Sequence, residues 1–128
     1  MWHLVSATQT PDNEFFRSIG SGAIESRVIA QQLHVNKIQL ADVLGIGVDS
    51  LRRSNRERAA SVQTRMRDMI EIINRAQPWA GSLTQAFAWY RSQPLPSFGG
   101  QTAEELVKEG KAEAVKSYLA RINEGGYA

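Results

Sequence analysis

Apolar residues recur three and four positions apart along most of this chain, and no alternating run reads as a strand. Ile24, Val28, Ile29 and Leu33 predict a helix from Ala23 to about His34. Leu40, Val43 and Leu44 predict a short second helix, stopped at Gly45 because glycine enters a left-handed C-terminal cap without steric cost. A third begins near Val48 or Asp49. Farther on, "SVQTRMRDMIEIINRAQ" puts Val62, Met66, Met69, Ile70 and Ile73 on one face and arginines on the other, with Pro78 and Gly81 closing it. Two more helix starts carry capping-box spacing, Ser82 with Gln85 and Thr102 with Glu105. The first would bury Leu83, Phe87 and Tyr90, and the last helix, "AEAVKSYLARI", would bury Val115, Leu119 and Ile122. The expected fold class is therefore all-α, with six or seven helices. Residues 1–22 read as an arm rich in turn residues, 23–59 as one helical unit and 60–128 as a second.

Composition narrows the class. The chain has 128 residues, 42% of them hydrophobic, enough for a sizeable core and too apolar for a disordered chain. Cysteine is absent, which removes disulfides, thiolate metal sites and cysteine nucleophiles together. "MWHLVSATQT" lacks the basic-then-apolar order of a leader, and no apolar stretch approaches the roughly 20 residues that span a bilayer. A cytoplasmic protein without a membrane partner is expected.

Charge matters through its distribution. Net charge is only +2, but residues 37–77 hold eight basic and five acidic side chains, and Arg52, Arg53, Arg56 and Arg58 fall within seven positions. Such a cluster attracts phosphate even on a nearly neutral chain. It follows "KIQLADVLGIGVDSL", which meets the needs of a helix-turn-helix: small Ala41 where helices cross, Gly45 in the turn, and Leu40, Leu44, Ile46 and Leu51 as apolar anchors. Ser54 departs from the pattern, where a bulky apolar residue is usual. A recognition helix here would present Val48, Asp49, Arg52, Arg53, Asn55 and Arg56 to the major groove. The plainer alternative is two core helices meeting at a glycine, with the arginines forming a solvated face.

Catalytic chemistry finds little support. His3 and His34 are far apart and in no zinc-ligand spacing. Glu105 is explained by capping, and Glu104 and Glu109 by a solvated helix face. "FGGQT" reads as a tight turn before a cap. No catalytic residues, metal or cofactor are expected, so the chain reads as a non-enzyme. Trp79, Phe87, Trp89 and Tyr90 read as core aromatics, although adjacent Trp89 and Tyr90 cannot both point inward.

The second half adds a resemblance. Trp89, Pro94, Gly99, Gly100, Thr102, Glu105, Leu106, Leu119, Ile122 and Gly125 stand in the order found in Xre/MbcA/ParS-like antitoxins with a C-terminal toxin-binding domain. Phe98, Gln101 and Ala103 depart from it, standing where leucine, arginine and proline are usual. The chain from about 24 to 126 thus resembles an Xre-like helix-turn-helix followed by a toxin-binding domain. The resemblance implies an antitoxin of a type II toxin–antitoxin system that inhibits a RES-domain, NAD-consuming toxin and represses its own operon by binding operator DNA. It further implies toxin contacts from a tail made of Arg121, Asn123, Glu124, Gly125, Gly126, Tyr127 and Ala128. Beside it, an aromatic left exposed near "PLPSFGG", here Trp89, is a candidate contact for the toxin or a second protomer. A homodimer or larger toxin–antitoxin assembly is expected because palindromic operators suit paired half-sites. A stand-alone helix-turn-helix regulator, or a partition-type adaptor with an oligomerising C-terminal half, is the competing reading.

Overall fold

The computed structural model describes residues 22–125, so the expected arm and the tail from Gly126 to Ala128 lie outside the described residues. Among the described residues it is all-α: α1 (Ser26–Leu33), α2 (Lys37–Leu44), α3 (Asp49–Arg52), α4 (Ser54–Glu57), α5 (Ala60–Ala80), α6 (Leu83–Ser92), a 3-10 turn (Pro96–Phe98), α7 (Ala103–Lys108) and α8 (Ala112–Gly125). No helix described is long and apolar enough to cross a membrane.

Helix α5 is the axis of the fold, packing against α2, α4, α6, α7 and α8. It buries Ile72 and Ala76 as well as the five apolar residues expected, because neighbours cover it on more than one side. Core residues from Ile24 to Leu119 form one cluster, so both halves of the chain share one hydrophobic interior.

The caps explain most helix ends. Asn36 and Gln39 exchange backbone hydrogen bonds in a capping box, which starts α2 at Lys37, ahead of its first apolar anchor. Gly45 ends it with φ +71, and a Cβ there would stand 2.8 Å from Lys108 Cγ. Thr102 and Glu105 form the expected box at α7, whereas at α6 only the Ser82 half is made. Gly81 closes α5, but Pro78 lies inside the helix rather than ending it. A proline in the final turn removes a single helical hydrogen bond, and the Gly81 amide still reaches the Gln77 carbonyl at 3.0 Å.

The expected third helix is split, which brings the helix count to eight among the described residues. Arg53 is extended (φ −101, ψ 124) between two single turns. The Leu51 carbonyl, whose helical partner would be the Asn55 amide, accepts instead from Lys37 Nζ at 3.2 Å and Ser26 Oγ at 3.5 Å. No residue of α4 is buried, so no apolar contact holds residues 53–56 on the axis of α3. Glu57 draws α4 sideways, since its carboxylate accepts from both the amide (2.7 Å) and the hydroxyl of Ser26 at the start of α1.

Candidate functional site

Two surfaces stand out, one at each end of α5. Before its first turn, Arg52, Arg53, Arg56 and Arg58 are all exposed, and none joins an ion pair among the described residues. Asp49 and Asn55 are exposed beside them. Val48 is half-buried and packs against the core, leaving less of it for a ligand than the helical pattern suggested. The break at Arg53 places Asp49 and Arg52 on one turn and Asn55 and Arg56 on the next, in place of one continuous presenting face.

Beyond the last turn of α5 lies an apolar groove of about 620 Å³. Pro78 and Trp79 line one side, Trp89 on α6 lies between, and Gln93, just past the end of α6, forms the lip with Pro94 to Pro96; Tyr118, Ile122 and Asn123 on α8 close it. The aromatic rings are held in place. Trp79 and Trp89 meet edge to face at 5.3 Å and 86°, while Phe98 braces Tyr118 at 5.8 Å and 75°. The lip is shaped by Gly99 and Gly100, both at positive φ (+68 and +86), which let the Gly100 amide fold back onto the Leu95 carbonyl at 3.0 Å.

Several aromatic positions differ from expectation. Tyr90 is fully buried, Phe87 and Trp89 are half-buried, and Trp79 is 42% exposed. The adjacent Trp89 and Tyr90 thus divide as their geometry requires, one facing the groove and the other the core. Trp79 and Ile122 join the groove although they read as core, and Tyr118, which the pattern did not single out, joins them, because α5 and α8 leave the groove uncovered between their C-terminal turns. No local sequence signal marks them, since all three stand well away from the "QPLPS" loop along the chain.

Behind the groove a charged network ties α6 and α7 to α2. Glu104 is buried at 7% exposure, correcting its reading as a solvated residue, and pairs with Arg91 at 2.8 Å and Lys108 at 2.9 Å. Arg91 also reaches Asp42 at 3.5 Å, and Arg65 donates to the Leu44 carbonyl at 2.6 Å. Lys116 lies among Asp68 (2.8 Å), Glu71 (2.6 Å) and Glu113 (3.2 Å). Burial alone would lower its pKa, but hydrogen bonds to these three carboxylates outweigh it, and the ammonium titrates above its ordinary range. Burial, reinforced by the negative charge of Glu104, pushes the Tyr90 phenol upward, so it is protonated at any physiological pH.

Among the described residues the Tyr90 hydroxyl has no hydrogen-bond partner. A buried, unsatisfied hydroxyl costs stability, so Tyr90→Phe is expected to stabilise the fold by about 1 kcal/mol. Urea unfolding would show this as a raised midpoint; a lowered midpoint would mean that the hydroxyl is satisfied in solution.

Every residue lining the groove lies between 78 and 123. Residues 75–125 match the family model of the antitoxin Xre/MbcA/ParS C-terminal toxin-binding domain. This segment, under half of the chain, is similar to that domain family. No curated protein and no solved structure matches the chain. The matched segment begins at Arg75, inside α5, and shares its hydrophobic interior with what precedes it. Of the expected toxin contacts, Trp89 and Asn123 line the groove and Arg121 is exposed on α8. Helix α8 continues to Gly125, so Arg121, Asn123, Glu124 and Gly125 belong to its last turns rather than to a free tail. Gly126, Tyr127 and Ala128 lie outside the described residues. The described residues hold no group of three or more His, Cys, Asp or Glu suited to a metal ion.

Proposed function

We propose that this chain is the antitoxin of a type II toxin–antitoxin pair. It binds and inhibits a RES-domain, NAD-degrading toxin in the cytoplasm and represses its own operon through residues 23–59 acting as a helix-turn-helix. The match of residues 75–125 to an antitoxin's toxin-binding domain carries this reading. In it the chain is an inhibitor and not an enzyme, and Arg121, Asn123 and Glu124 guide the segment Gly125, Gly126, Tyr127 and Ala128 over the toxin's active-site entrance. Val48, Asp49, Arg52, Arg53, Asn55 and Arg56 meet operator DNA, with the protein acting as a homodimer or within a larger toxin–antitoxin assembly.

Co-expression with a RES-domain protein from the same genome, followed by an NAD-consumption assay, tests the reading. A stable complex that is inactive until the two are separated supports it. If the chain binds only operator DNA or itself, the exposed arginine cluster becomes the working surface of a stand-alone regulator, or of a partition-type adaptor.

The tail makes a separate prediction. Ending the chain at Gly125 preserves α8, removes Gly126, Tyr127 and Ala128, and is expected to raise the antitoxin concentration needed for half-inhibition about tenfold or more, on the scale of one buried aromatic anchor. Operator affinity should be unchanged. Full inhibition by the shortened chain would assign the blocking role elsewhere.

A further inference from the structure

We propose that the groove between the C-terminal ends of α5 and α8 is where the toxin docks, and that it receives an uncharged, apolar ridge of that partner. The inference rests on the antitoxin reading and names the surface responsible for it.

Shape and rigidity point to a docking surface. Trp79 and Ile38 are the large exposed apolar side chains among the described residues, and Trp79 belongs to a concave surface in which a second indole and Tyr118 are already fixed. Tryptophan and tyrosine in such a setting give much contact area for little lost side-chain freedom. Pro78, Pro94 and Pro96 stiffen the same rim, so little backbone ordering is left to be paid on binding.

Chemistry narrows the occupant. Among the described residues the lining contains no lysine, arginine, aspartate or glutamate. A partner bringing a charge into it would be desolvated without compensation, whereas an aliphatic or proline-bearing segment would not. The amides of Gln93 and Asn123 leave polar contacts for that segment's backbone.

The choice between the toxin and a second copy follows from what each can insert. Ile38 is the other large exposed apolar side chain in the described part of a second copy, and one isoleucine does not fill a groove of about 620 Å³. The lining falls wholly within the segment that matches a toxin-binding domain.

The test uses the full chain labelled with 5-fluorotryptophan, with Trp2→Phe so that both fluorine signals come from Trp79 and Trp89, and an unlabelled RES-domain toxin as the probe. Both signals should shift on adding toxin. Trp79→Glu should weaken toxin binding at least tenfold by calorimetry while operator binding is retained. Gln93→Glu, at an exposed rim position, should act in the same direction if Trp79→Glu perturbs folding. Unmoved signals with toxin bound, and native affinity in Gln93→Glu, would overturn the groove assignment and leave the antitoxin reading standing. Failure of the unaltered chain to bind toxin would overturn both. Signals that shift on concentrating the chain alone, together with sedimentation as a dimer, would assign the groove to a second copy and overturn the proposal.

Discussion

Ile70→Ala is expected to destabilise the protein by about 3–4 kcal/mol, the range for deleting a fully buried aliphatic side chain whose surroundings cannot collapse. Ile70 is fully buried on α5, the helix packed against α2, α4, α6, α7 and α8. A cavity there is bordered by both halves of the chain, so the loss is shared. Urea unfolding should show one transition, moved to lower denaturant, with fluorescence from the groove tryptophans and helical circular dichroism changing together. Toxin binding and operator binding should fall in parallel wherever the variant is partly unfolded. Two separated transitions would show that the halves fold independently despite their common interior.

The second large effect is functional. Replacing both Arg52 and Arg53 with alanine is expected to lower operator affinity about 30-fold near 0.15 M salt, with the slope of log affinity against log salt reduced by nearly 2, if each arginine neutralises one phosphate. Neither side chain is buried or ion-paired among the described residues, so the melting temperature should not move. Electrophoretic mobility shifts at several salt concentrations would separate this from a base-specific contact, which changes affinity without changing the slope as much. Unaltered affinity and slope would show that the cluster is a solvated face.

Much of the helical plan was legible in the sequence. The apolar spacing of α5, the turn at Gly45 and the Thr102–Glu105 box are local signals, and local signals survive folding when nothing opposes them. What was not legible depended on distant partners. The break at Arg53 arises because Lys37 and Ser26 take the Leu51 carbonyl, contacts from α1 and α2 that no reading of residues 48–56 contains. Burial of Glu104 depends on Arg91, thirteen residues earlier and on another helix. Trp79 lies on the apolar helix α5, and its exposure follows only from where α8 stops covering it. The two glycines of "INEGG" read as leaving the helical path together, whereas helix α8 includes the first at its end.

The position of Arg75 within α5 has a consequence for how such a protein can diversify. A recombination joint at the start of the matched segment would cut a helix whose buried face is built on both sides of the cut, so a swapped C-terminal segment would arrive with half of a mismatched core. If the groove is the docking surface proposed above, lineages would then acquire new partners by substitution at its rim, at positions such as 79, 93 and 123, rather than by exchanging whole segments.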